Sequence, residues 1–341
     1  MRVIINQNPH FLTKDKSFSD FAHNMLMNVF HRNINHHFLY LTFDIRINTG
    51  FPSNVESVKV FQPRFVPFFF KRWWYKRKAI ALAKELNADL IISFQHYPLN
   101  TVIPEYIIAH NNGFSVGDVP ASTRIIVSSV LVKEQLKKEG FNEDRLKLVR
   151  PFVDQSYTPL DFDKMEAIKT RFTAGKEFFL FDASGAPDNF IIHVLKAFSV
   201  FKKWQKSNAQ LIIINAELNQ QTTSLLQTYK HREDIHLTEN TEKDRSALMA
   251  SATAIIYLPA SDDFGLALME ALYCEVPVIA YNTGVLTEIG GDAVFYADPG
   301  DVQNIADKMI KIFKDEKLRS QLIQKTKTQR MYLNAETTFM L

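Results

Sequence analysis

Asp262 and Glu270 are the two acids whose placement in this sequence best suits chemistry. The stretch SATAIIYLPASDDFGLALMEALYCEVPVIAYNTGVLTEIGGDAVFYADPGD, residues 251–301, reads as a buried strand ending at Pro259, a polar loop and a helix beginning near Phe264. A second buried strand at VPVIA and a glycine-containing loop follow. Asp262 precedes the helix, where free N–H groups and the helix dipole favour an anion, and Glu270 lies eight positions on, about two turns along. In open α/β sheets, ligands bind outside the carboxyl ends of the strands, where such loops converge. Two carboxylates at that spacing can hold separate parts of one elongated ligand. The same residues also read as ordinary structure, with Asp262 and Asp263 as helix caps and Glu270 as a surface charge.

The elements that must position them follow a strand–helix alternation along most of the chain, which predicts α/β architecture with parallel sheets covered by helices on both faces. Strands are expected near 2–6, 38–43, 57–61, 89–93, 105–109, 124–127 and 146–149, with helices near 17–32, 70–87 and 129–139. The pattern loosens between Pro151 and Lys176, through PFVDQSYTPLDFD and a polar helix, and then restarts at EFFLFDASG. From there strands are expected near 178–182, 210–214, 234–237, 254–258, 277–280 and 293–296, with helices near 189–206, 219–230, 242–251, 264–274 and 301–313. Two domains follow, 1–158 and 159–325, with a C-terminal tail at 326–341 for which a return to the first domain is one option.

Composition agrees with that division and excludes other classes. A chain of 341 residues exceeds what one hydrophobic core usually serves, and 46% apolar with 23% charged residues is ordinary for a globular protein. No apolar run approaches the roughly 20 residues that cross a bilayer. The start MRVIINQN runs directly into a strand pattern without the regions of a secretory signal, so the mature chain is expected to start at Met1. A single cysteine, Cys274, excludes an intramolecular disulfide and a cysteine metal site, and a cytoplasmic location is the expectation. A net charge of +3 is too small to argue for nucleic acid, and no G-x-G-x-x-G follows a strand, which excludes the usual Rossmann dehydrogenase.

Asp262-Asp263-Phe264-Gly265-Leu266-(x)3-Glu270-Ala271, followed by Pro277-Val278-Ile279-Ala280 and Gly284-(x)3-Glu288, resembles the E-x7-E signature of the retaining GT-B glycosyltransferases of family 4, with aspartate in place of the first glutamate. Asp298-Pro299-(x)-Asp301 resembles the family's later loop, and Arg150-Pro151-Phe152-Val153-Asp154 its interdomain segment. The resemblance implies a GT-B fold, two Rossmann-like domains facing each other across a cleft that Asp262, Glu270 and Glu288 would border. It further implies an N-terminal acceptor domain and a C-terminal donor domain. Asp262 would contact the donor sugar and Glu270 the ribose, with Phe264, Gly265, Leu266, Gly284 and Glu288 completing the donor side. His110, in Tyr106-Ile107-Ile108-Ala109-His110-Asn111, matches the family's histidine facing the donor, and His96 is a second candidate.

The family's phosphate-binding G-R-x4-K-G has no counterpart here, because Ser184 stands at the arginine and Asn189 at the lysine. The glycine-rich loop after the first strand is replaced by Asn6-Gln7-Asn8-Pro9-His10. Ser184-Gly185-Ala186-Pro187-Asp188-Asn189 still offers a glycine turn and a helix N-terminus whose backbone N–H groups can hold an anion. Lys196 or an arginine of the first domain could supply the missing charge.

Residues 64–78, RFVPFFFKRWWYKRK, combine six basic residues with clustered aromatics. Phe69, Phe70, Lys71, Arg72, Trp73, Trp74 and Arg77 suit an anionic membrane surface or an acceptor pocket, and equally an aromatic core edge with solvated cations. The expected activity is transfer of a sugar, with retention, from a nucleotide diphosphate sugar to a glycan or lipid-linked acceptor, without metal or other cofactor. The competing expectation is a GT-B-like protein that binds nucleotide sugar or glycan without turnover. Neither expects nucleic acid as a partner; a peripheral place on the inner face of a membrane is an option.

Overall fold

The computed structural model describes residues 1–6, 16–43, 50–60, 68–94, 98–109, 119–238, 244–262 and 264–335, with backbone alone at 16, 17, 68, 69, 72 and 335. The chain forms two compact units, Met1–Phe152 and Val153–Ala335.

The first unit runs β1 (Arg2–Asn6), α1 (Lys16–Arg32), β2 (His37–Thr42), β3 (Val55–Lys59), α2 (Phe68–Glu85), β4 (Leu90–Ser93), β5 (Glu105–Ile108), β6 (Thr123–Val127), α3 (Val130–Lys138) and β7 (Leu146–Leu148). Its seven strands are all parallel, in the order β3-β2-β1-β4-β5-β6-β7. Ile4, Leu39, Leu41 and Ile91 pack against Tyr75, Ala79, Leu82 and Ala83 of α2.

The second unit runs α4 (Phe162–Thr173), β8 (Phe178–Asp182), α5 (Asp188–Gln205), β9 (Gln210–Ile214), α6 (Gln220–Thr228), β10 (Ile235–Thr238), α7 (Arg245–Ser251), β11 (Ala254–Tyr257), α8 (Leu266–Tyr273), β12 (Val278–Tyr281), α9 (Gly284–Gly290), β13 (Phe295–Ala297), α10 (Val302–Lys314) and α11 (Glu316–Ala335). Six parallel strands lie in the order β10-β9-β8-β11-β12-β13. The continuous apolar run of β8 is explained by burial on both faces. Phe178 and Leu180 join one cluster with Leu248, Leu268, Met269 and Leu286, while Phe179 and Phe181 join another with Val194, Phe198, Ile305 and Met309.

Both sheets reverse strand order beside their first strand, at β1–β4 and β8–β11. Such a switch point leaves a crevice outside the carboxyl ends of the two central strands.

Three sequence expectations are corrected here. The boundary expected at 158/159 falls at 152/153, because Val153, Tyr157 and Leu160 pack on the core of the second unit. The glycine-containing loop after β12 is the helix α9. The second unit, expected to end at 325, runs on to 335 through the second half of α11, since Leu322, Thr326 and Leu333 align on one buried helix face. Residues 336–341 lie outside the described residues.

Candidate functional site

The switch point of the second unit carries a dense polar network. Asp182, the last residue of β8, is fully buried and stands in register with Tyr257, the last residue of β11. One carboxylate oxygen of Asp182 accepts from the Ser184 amide at 3.0 Å, from Asn215 Nδ2 at 3.0 Å and from the Ser184 hydroxyl. This shapes the turn after β8. Gly185 in that turn has φ of +67°, a side chain there would meet Pro259 Cβ at 3.4 Å, and its carbonyl accepts from Ala260 N–H at 2.9 Å. The loops after β8 and β11 are thereby held together.

The other Asp182 oxygen accepts from Arg245 Nη2 at 2.8 Å. Arg245 opens α7, whose start is pinned where Asp244 takes two bonds from Arg171 at 2.9 and 2.8 Å. Nη1 of Arg245 donates to Tyr157 Oη at 2.6 Å and to the Glu270 carboxylate. Burial opposes the charge on Arg245, but Glu270 and Asp182 outweigh it and hold its pKa well above the usual range. Burial likewise works against the Asp182 carboxylate, yet Arg245 with the Asn215 and Ser184 hydrogen bonds brings its pKa below the ordinary carboxyl value. Losing one member of such a group costs roughly 3–5 kcal/mol, because a charge is left buried without its partner.

Glu270 is 4% exposed in α8, so the surface-charge reading is excluded. Asp262 is 9% exposed and holds the loop that leads into α8: one oxygen accepts from the Phe264 and Gly265 amides at 3.0 and 2.8 Å, the other from Tyr257 Oη at 2.8 Å. Burial, then the charges of Asp262 and Asp182, push the Tyr257 hydroxyl far above the usual tyrosine range, so it stays a donor. The chain from Asp262 to Gly265 needs its glycine: φ is +66°, and an added Cβ would sit 2.2 Å from Ile289 Cδ1 of α9.

The other predicted residues separate. Phe264 and Leu266 are expected on the donor side, but their side chains are buried at 0% and 4%, so only their backbone can meet a ligand. Gly284 opens α9 and Glu288 lies half-buried on it. Gly185, Asn189 and Lys196 are exposed, the last two on α5, and Ser184 is half-buried. His96, His110 and Asp263 lie outside the described residues, as do the side chains of Phe69 and Arg72. On α2, Phe70 and Trp73 are 53% and 56% exposed, and Arg77 lies 4.5 Å over the Trp73 ring. Lys71 is half-buried on the same helix, and Trp74 packs on the core cluster around Tyr75.

Sequence reasoning missed Arg245, Asp182, Tyr157 and Tyr257. The acid ending the apolar strand FFLFD was a usable signal, whereas Arg245 is one charge among several in TENTEKDRS. The first unit also holds a polar chain at its own switch point. Asn6 and Ser93 are in register and bonded at 2.8 Å, Tyr75 Oη donates to Asn6 at 3.0 Å, and Ser93 Oγ donates to buried Glu105 at 2.6 Å. Burial raises the Glu105 pKa, against the lowering effect of its hydrogen bonds to Ser93 and Leu99.

Comparison with known proteins agrees with this architecture. Residues 164–329 match the family described as glycosyl transferases group 1. O-antigen chain mannosyltransferase B of Escherichia coli is 36% identical over 78 residues, which are 23% of this chain and 20% of that protein, so the match spans about a fifth of the curated relative. Among solved structures, WaaG, a glycosyltransferase involved in lipopolysaccharide biosynthesis, superposes with a TM-score of 0.70 at 15% identity over 98% of this chain and 95% of that one. Alr3699/HepE of Anabaena, solved in complex with UDP-glucose, gives a TM-score of 0.71 at 14% identity with the same shares covered. The second unit thus matches the group 1 glycosyl transferases over most of its length, and the two all-parallel α/β units share the GT-B fold of these glycosyltransferase structures.

Proposed function

We propose that this chain transfers a sugar from a nucleotide diphosphate sugar to a glycan or lipid-linked acceptor, with retention of configuration and without a metal or other cofactor. The observation that carries the reading is the convergence of Asp182, Arg245, Tyr257, Asp262 and Glu270 outside the carboxyl ends of β8 and β11, where an α/β sheet takes its ligand. A neighbour in fold holds UDP-glucose, and a relative of the second unit is named a mannosyltransferase.

In this reading the second unit is the donor domain and the first the acceptor domain. Glu270 takes the ribose hydroxyls. The diphosphate lies against the amides of the Ser184–Gly185 turn and the start of α5, where backbone N–H groups offset negative charge as the leaving group departs. Asp262 acts by holding the loop that meets the sugar, and His110 is the candidate from the first unit. The exposed Phe70, Trp73 and Arg77 make an anionic membrane the proposed place of work.

A second reading, nucleotide-sugar binding without turnover, is favoured by one observation: neither Ser184 nor Asn189 is a cation, and Arg245 is engaged by two carboxylates. A thermal-shift screen against UDP, GDP and ADP and their sugars tests donor binding, because a ligand at 100 times its dissociation constant stabilises by about 2.7 kcal/mol. Glu270→Ala should weaken the best ligand by roughly 1.5–3 kcal/mol. No shift with any nucleotide would sink both readings.

A further inference from the structure

In the bonded group at the carboxyl edge of the second unit, the single guanidinium of Arg245 lies between two acids, Asp182 and Glu270. One positive and two negative charges leave the trio net negative, so Arg245 has no surplus charge with which to offset a diphosphate. What its geometry does is join two loops. Nη1 meets Glu270 of α8 and Tyr157, and Nη2 meets the Asp182 carboxylate that shapes the Ser184–Gly185 turn. The head group is further confined by the Tyr157 ring, 5.7 Å from its Cζ, and by the Arg171–Asp244 pair at the root of α7. Its Nε is buried and has no partner among the described residues. Stability alone gives no reason for such an arrangement, since buried ionic triads are often matched or bettered by well-packed apolar side chains.

We propose that Arg245 is a positioning residue for donor binding: it aims the Glu270 carboxylate at the ribose and locks it at a set distance from the turn that receives the diphosphate. The inference rests on the donor-site reading above. It assigns to α7 a role absent from the acidic signature.

The groups facing Arg245 are Asp182 from β8, Glu270 from α8 and Tyr157 ahead of α4; Tyr257 of β11, Asp262 and Cys274 stand next to these. Burial, together with nearby acids, pushes both tyrosines upward and the Cys274 thiol up to about 12. Neither tyrosine nor the thiol therefore titrates in the test window of about pH 5.5–8.5. The probes are UDP-glucose and GDP-mannose, whose phosphates do not titrate there, measured by isothermal titration against the full chain and its variants. Arg245→Met should weaken binding more as pH falls, by roughly tenfold per unit below the raised carboxyl pKa, because a buried acid without its cation binds a proton. Arg245→Lys should restore a flat profile, and Glu270→Gln added to Arg245→Met should remove the slope. If Arg245→Met does not fold by circular dichroism, Arg245→Gln carries the same comparison. Unchanged affinity, or equal weakening at every pH, would overturn the positioning role while leaving the donor site standing. Absence of binding by the unaltered chain would overturn the donor reading and this inference with it.

Discussion

Tyr257 donates its hydroxyl to Asp262 across the end of β11, at 2.8 Å and out of water, and this bond ties the acidic loop to the sheet. Asp262→Ala strands that hydroxyl and frees the Phe264 and Gly265 amides of the loop before α8, so a loss of about 2–4 kcal/mol is expected. Tyr257→Phe should cost about 1.5–3 kcal/mol, since the acceptor is a carboxylate. Chemical denaturation measures both. Losses within 0.5 kcal/mol of zero would refute this loop-holding role.

Gly265→Ala is expected to destabilise by about 1–3 kcal/mol, because φ of +66° strains any side chain and the new Cβ would meet Ile289. Ile289→Ala in the same chain should return only the steric part. Full recovery in the double variant would show that the backbone conformation carries no cost.

Ser184→Arg with Asn189→Lys places two cations at the turn after β8. If the chain is a weak enzyme, sugar transfer or donor hydrolysis should rise, because added charge stabilises a departing diphosphate. Tighter nucleotide binding without turnover, with acceptors present, would favour the binding reading instead.

The outward face of α2 leads to a lipid test. Anionic vesicles should retain the protein at low salt, and Phe70→Ala with Trp73→Ala and Arg77→Ala should release it. Equal retention on neutral vesicles would argue against an electrostatic contact, and none on either would leave these residues to the acceptor.

Most strands, the order of elements and the acidic segment were legible in the sequence, because apolar runs report burial and the spacing of Asp262 and Glu270 is local. Local signals cannot report which partner a side chain finds. Asp262 and Glu270 look equivalent in the sequence, yet one holds the amides of the loop before α8 and the other meets an arginine 25 residues away, a pairing created only when α7 and α8 pack on the same face of the sheet. The division of α2 was also tertiary: Trp73 and Trp74 are adjacent, and helix rotation against β1, β2 and β4 turned one outward and seated the other. The sequence by itself determined two parallel α/β units and where their loops gather. The tertiary structure alone decided that the gathering point is built around Arg245, because long-range charge pairing depends on distances that no sequence spacing encodes.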